Sequence, residues 1–157
     1  MNDIHLNVHG FGILVYSPYA AAQIISGANF LEQSFSTPEQ ALPYIYSGSL
    51  VAFQTGDGFY QLKFRTGYPV EHQTYMLRLA VLVKDRSLCF RDLYDLYDWN
   101  PDCPADQKLE VDDGYYHLTL ASSRDFSQNE MAIMVYLAPL GEMPSLDYRG
   151  NLPVLFG

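Results

Sequence analysis

Four histidines, two cysteines and eighteen acids are the side chains of this 157-residue sequence suited to proton, metal or nucleophilic chemistry. Their spacing supports little of it. His5 and His9 stand four apart, which would put two metal ligands on one face of a helix. Their neighbours Ile4, Leu6 and Val8 alternate with polar residues like a half-buried strand, where that separation becomes about 13 Å. Both histidines therefore read as solvent-facing strand residues. His117 follows Tyr116 on another alternating stretch and could line a cleft, but no nucleophile accompanies it. Asp92, Asp95 and Asp98 miss the alternate-residue spacing of a calcium loop, and Asp112-Asp113-Gly114 is turn chemistry. A carboxylate pair for glycoside hydrolysis depends on a separation set by the fold, and nothing selects two of the eighteen acids. Phosphate-binding, dinucleotide-binding, nucleophile-elbow and paired metal-cysteine motifs are absent. The expectation is a protein that is not an enzyme and uses no cofactor or metal.

Binding is better supported. Between Arg91 and Asp113 eight acids face two cations, Arg91 and Lys108, so this segment holds −6 of the chain's −9. Within it Asp92-Leu93-Tyr94, Asp95-Leu96-Tyr97 and Asp98-Trp99 repeat acid and aromatic at every third residue. Carboxylates at that spacing sum to a field that speeds encounter with a basic protein, and Tyr and Trp supply anchoring area after contact. The expected site has electrostatic roles for Asp92, Asp95, Asp98, Asp102 and Asp106, and anchoring roles for Tyr94, Tyr97 and Trp99. The plainer alternative is a solvated loop with its Leu and Trp tucked inward.

The elements that would hold this segment are mainly strands. Alternation or short apolar runs mark Ile4 to Val8, Ile13 to Tyr16, Leu50 to Gln54, Phe59 to Arg65, Tyr75 to Lys84, Leu88 to Phe90, Tyr115 to Ala121 and Met131 to Leu137. Gly56-Asp57-Gly58, Asp85-Arg86-Ser87 and Asp112-Asp113-Gly114 read as hairpin turns. Ser17-Pro18 opens a short helix over Tyr19 to Ser26, and Thr37-Pro38-Glu39-Gln40 opens another with a capping box. Gly58 to Leu62 is echoed by Gly114 to Leu118, 56 positions on; two similar halves or two unrelated Asp-Gly hairpins would each produce this. The predicted fold is a mainly-β, single-domain antiparallel β-sandwich spanning residues 1–157, jelly-roll-like, with one or two short helices in the N-terminal third.

With 48% hydrophobic and 17% charged residues, the chain has the composition of a packed globule. A sequence pI near 4.6 argues against direct contact with nucleic acid or anionic membrane, whose phosphates demand Lys and Arg. The first ten residues lack a charged leader and an apolar run, and no stretch approaches the length that spans a bilayer, so a cytoplasmic location is expected. Cys89 and Cys103 then read as free thiols, a bridge between them being the alternative.

The order of features is familiar in one part. A strand from Met76 to Val83, a charged turn, the segment containing Trp99, and Lys108-Leu109-Glu110-Val111-Asp112-Asp113-Gly114-Tyr115-Tyr116-His117-Leu118-Thr119-Leu120 resemble the bacterial competence-associated nuclease inhibitor family and related toxin immunity proteins. The resemblance covers about Gln73 to Leu137. It implies a single-domain mainly-β protein that binds a cognate toxin, often a nuclease, and blocks its active site. The residue reading agrees in that an acidic surface can mimic phosphate in a basic groove, and inhibition would be without turnover. A small-ligand module, such as a carbohydrate binder stacking sugars on Tyr and Trp, is the second expectation.

Overall fold

The computed structural model describes residues 2–71, 73–123, 129–146 and 152–156. Their strands form two sheets. The five-stranded sheet runs, in spatial order, β1 (Ile4–Val8), β4 (Gly58–Thr66), β9 (Met131–Leu140), β8 (Gly114–Ser122) and β5 (Tyr75–Val83). The four-stranded sheet runs β3 (Leu50–Gln54), β2 (Gly12–Tyr16), β6 (Ser87–Asp92) and β7 (Lys108–Glu110).

Alternation decides which face of the larger sheet is buried. Ile4, Leu6 and Val8 of β1, Leu62 and Phe64 of β4 and Leu118 and Leu120 of β8 point to one core, shared with Ile13, Val15, Val51, Phe53 and Phe90 of the smaller sheet. Phe64 and Phe90 meet edge to face with ring centres 5.1 Å apart, one ring from each sheet. The smaller sheet is buried on its second face too. Leu14, Tyr16, Leu50, Ala52 and Cys89 form a second core with Ala21, Phe35, Ala41, Leu93, Leu96 and Trp99. Double burial explains why β2 and β3 read as unbroken apolar runs, Ile13-Leu14-Val15-Tyr16 and Leu50-Val51-Ala52-Phe53. Each large side chain removed from water there contributes roughly 1.5–3 kcal/mol.

The cover over that second face comes from the N-terminal third and the acidic segment. Helix α1 (Phe30–Ser34), unforeseen in the sequence, is capped by the Asn29 side chain, which accepts from the Glu32 N–H. Helix α2 (Pro38–Ser47) has the expected capping box: the Gln40 N–H donates to Thr37 Oγ1, and the Thr37 N–H to Gln40 Oε1, both at 3.3 Å. Pro43 lies inside it, and Gly48 ends it at φ +70°. The helix expected over Tyr19 to Ser26 is one 3₁₀ turn, Pro18–Ala21. Ser17 does not cap it, because its hydroxyl donates to the Ser87 carbonyl at 2.6 Å and accepts the Lys84 N–H at 3.1 Å.

Three expected hairpins are corrected. Gly56-Asp57-Gly58 leads from β3 to β4, Asp85-Arg86-Ser87 from β5 to β6, and Asp112-Asp113-Gly114 from β7 to β8; every one of these crosses between the sheets. Alternation specifies the buried face of a strand and leaves its lateral neighbour open, so adjacent strands need not pair. Gly58 and Gly114 occupy equivalent corners at φ +146° and +142°, where a side chain would be strained. The all-antiparallel expectation is corrected as well: β4 and β9 run parallel, with Leu62 opposite Ile133 and Phe64 opposite Val135. Both copies of the internal echo lie in the five-stranded sheet. One is paired parallel, β4 with β9, and the other antiparallel, β8 with β5, so they are not two matching halves. Among the described residues no helix is long and apolar enough to cross a membrane.

Candidate partner-binding surface

The triplets of the acidic segment fold at their own period. Leu93–Tyr97 is a 3₁₀ helix with Asp92 and Asp98 at its ends. Three residues make one turn of such a helix, so every third side chain lies on one ridge. Leu93 and Leu96 form the inward ridge and are buried, as is Trp99, two residues past the end of the helix. Tyr94 and Tyr97 form an outward ridge, 49% and 41% exposed, their rings stacked at 5.2 Å with 11° between planes. Asp92, Asp95 and Asp98 form the third.

Trp99 is therefore a correction: expected as an exposed anchor, it is 1% exposed. It occupies the leucine position of its triplet in sequence, but it lies past the helix, where the non-helical Asp98 (φ −137°, ψ 86°) leads into it, and it joins the core with Leu93 and Leu96. Its ring meets Tyr16 edge on at 5.6 Å. Its backbone N–H donates to the Ala28 carbonyl, and its carbonyl accepts the Gly27 N–H at 2.7 Å.

Arg91 holds this arrangement from beneath. Only 4% exposed, it donates from Nε to Asp95 Oδ2 at 2.9 Å and from one terminal nitrogen to the Asn100 carbonyl at 2.7 Å and the Tyr16 hydroxyl at 3.2 Å. Burial pushes the Asp95 carboxyl above the usual range, and Arg91 pulls it part of the way back. Burial opposes the Arg91 charge, but Tyr16 and Asp95 together outweigh it. The pair therefore holds its geometry without leaving a free charge.

The five expected electrostatic aspartates thus divide. Asp92 is committed to backbone: its carboxylate accepts the His9 N–H at 2.9 Å, the Gly10 N–H at 3.0 Å and the Tyr94 N–H at 3.1 Å. Asp95 is committed to Arg91. Asp98, Asp102 and Asp106 are exposed. Farther along, Glu110 and Asp112 lie 3.4 and 3.5 Å from Arg86, exposed ion pairs of small energetic weight. Cys89 and Cys103 are free and buried. The Cys103 thiol beside Cys89 pulls the Cys89 pKa down, while Cys103 is pushed up.

Two of the histidines, His5 and His117, have side-chain partners. His5 Nδ1 lies 2.8 Å from Glu130. His117 Nδ1 lies 2.7 Å from the Tyr68 hydroxyl, with the Arg78 guanidinium 4.7 Å from the centre of the Tyr68 ring and 3.0 Å from Thr119 Oγ1. The described residues contain no group of three or more His, Cys, Asp or Glu placed to hold a metal.

What sequence reasoning missed is Phe11. It is 66% exposed with φ +63°, in the turn between β1 and β2, next to Gly10, which meets Asp92 and Tyr94. The only signal was its position between two glycines.

This architecture defines a two-sheet, mainly-β protein with few helices, of a kind represented among solved structures. No protein family model matches the sequence, and no curated protein does. The fold is similar to that of the protein described as "Crocagin biosynthetic gene J", with a TM-score of 0.58 and 14% identity over 87% of this chain and 95% of that one. It is also similar to ComJ, inhibitor of the DNA degrading activity of NucA, from Bacillus subtilis, with a TM-score of 0.53 and 8% identity over 89% of this chain and 96% of ComJ. At these identities the likeness shows the fold alone, one shared with both proteins. It reaches well beyond the Gln73 to Leu137 stretch that carries the sequence resemblance.

Proposed function

We propose that this chain is an inhibitor, of the immunity-protein type, that binds a cation-rich bacterial toxin, a nuclease, and blocks it stoichiometrically. The observation that carries this reading is the stacked, exposed Tyr94–Tyr97 pair, in a segment whose Asp98, Asp102 and Asp106 carboxylates are also exposed. Arg91 and Asp92 hold that surface rigid, so little conformational freedom is lost on docking. Carboxylates so placed would sit where nucleic-acid phosphates sit in a basic groove, and the tyrosines would exclude water around them. The likeness to ComJ points the same way. In this reading the two sheets are a β-sandwich forming one domain, the protein acts in the cytoplasm with its thiols reduced, and inhibition needs no cofactor or turnover. The carbohydrate-binding alternative is disfavoured, because Tyr94 and Tyr97 cover each other's faces.

A toxin gene is expected next to this one, and the test is a DNA-degradation assay with the nuclease it would encode. Neighbouring genes that encode no toxin would count against the reading. Activity should fall linearly to an end point near one equivalent of the chain. The triple substitution Asp98→Lys, Asp102→Lys, Asp106→Lys should abolish the effect while the fold persists. An unaffected nuclease at tenfold excess of the chain, or DNA cleavage by the chain itself, would refute the reading. Reversing Asp92 or Asp95 tests the scaffold instead, since both are structurally committed.

A further inference from the structure

Folding alone favours glycine or asparagine at position 11, because φ +63° strains any other side chain. Phenylalanine there combines backbone strain with an apolar ring held 66% in solvent. The strain is firmly imposed. The Phe11 N–H donates to Asp57 Oδ1 at 2.8 Å, and its carbonyl accepts the Thr55 and Gly56 N–H groups at 2.8 and 3.0 Å. Asp92 takes the N–H groups of His9 and Gly10 on one side and of Tyr94 on the other. Gly10 lies so close to the acidic segment that a Cβ added to it would come within 2.5 Å of the Tyr94 nitrogen. One exposed ring is thus fixed one residue from a backbone contact with the Tyr94–Tyr97 stack. Strain maintained in this way, with no gain to the core, belongs to sites of function.

Charge selects the occupant. The segments at the Phe11 turn, residues 8–12, 54–58 and 92–98, contain four aspartates and no lysine or arginine, and the adjoining Arg91 is buried and bonded to Asp95. Nucleic acid, an anionic membrane and a second copy of the same surface are all repelled by it; a protein presenting Lys and Arg around an apolar patch is attracted.

We infer that Phe11 is the apolar centre of a docking surface for a cation-rich protein, with Tyr94 and Tyr97 as its flank. This rests on the inhibitor reading for the site, and extends it to a segment outside the acidic stretch.

The experiment places photo-crosslinking p-benzoylphenylalanine at position 11, 94 or 70 of the full chain in its native host. Val70, 99% exposed, serves as control, because it lies beyond the far end of β4 from Asp57. Affinity for the protein cross-linked, and for any nuclease encoded next to the gene, is then measured with Phe11→Asn, Phe11→Tyr and Val70→Ala. Asparagine tolerates the turn, so Phe11→Asn should keep or raise the melting temperature. Cross-links from 11 and 94 to one basic protein, with at least a tenfold loss of affinity in Phe11→Asn alone, are expected. If that protein is no nuclease, the docking surface stands and the nuclease reading falls. If the nuclease binds and Phe11→Asn leaves its affinity unchanged, the nuclease reading stands and Phe11 is excluded. Cross-links only to a second copy of the chain, or none from 11 and 94, overturn the inference.

Discussion

The Arg91 guanidinium carbon lies 4.6 Å from the centre of the Trp99 ring, a cation over an aromatic face in a buried setting. The contact joins the end of strand β6 to the residue two positions past the 3₁₀ helix, so the outward tyrosine ridge is aimed by a residue at its back. Removing Arg91 leaves Asp95, the Tyr16 hydroxyl and the Asn100 carbonyl without their donor. Arg91→Met should cost about 3 kcal/mol, in the range for breaking a buried ion pair. Urea unfolding measures this, and a change below about 0.5 kcal/mol, the scale of ordinary surface substitutions, would count against the role.

The three ridges predict opposite outcomes for neighbouring aromatics. Trp99→Ala should cost about 3–5 kcal/mol as a core truncation, whereas Tyr94→Ser and Tyr97→Ser should stay within about 0.5 kcal/mol. Partner affinity should reverse the order once folded fractions are accounted for. Equal destabilisation by Tyr97→Ser and Trp99→Ala would contradict the ridge assignment.

Glycine substitutions separate strain from crowding. Gly114 has open space around its Cα but φ +142°, so Gly114→Ala should lose about 1–3 kcal/mol through the backbone alone. Gly10→Ala should lose about 1–3 kcal/mol through overlap with Tyr94. Gly141, open and unstrained, should accept alanine with little change. Thermal melts of the three variants check the ranking, and a Gly114→Ala melt matching that of Gly141→Ala would remove the strain argument.

His117 makes stability sensitive to acid. Burial first, and then the Arg78 charge, hold its pKa below the ordinary histidine value. As pH falls, the unfolded chain takes up this proton near 6.5 while the folded protein resists it until lower pH. The unfolded state then binds more protons, so stability present above about pH 6.5 is lost on acidification towards the folded pKa. Melting temperature between pH 7.5 and 5.5 should fall less steeply in His117→Asn than in the parent. Parallel curves would show that His117 contributes nothing.

Several features were legible from residue types alone. The capping box at Thr37 and Gln40, the alternation of β1 and the long strand from Tyr75 depend on near neighbours in sequence, and they fold as that local pattern requires. The concentration of acid and aromatic between Arg91 and Asp113 was legible too, along with its period of three. That period already placed Trp99 with Leu93 and Leu96, a grouping hidden when aromatics are sorted by type instead of position.

Strand partnership was not legible, because each turn at an Asp-Gly pair suits a hairpin and a sheet crossing equally, and only burial across the whole core chooses between them. The commitment of Asp92 to His9 and Gly10, and of Arg91 to Tyr16, joins residues 75 to 83 positions apart. The sequence by itself determined a mainly-β chain with an acidic aromatic segment. Tertiary structure decided which of those acids stay free in water and brought the turn containing Phe11 against Asp92 and Tyr94, since a carboxylate is spent or available according to the donors that folding brings to it.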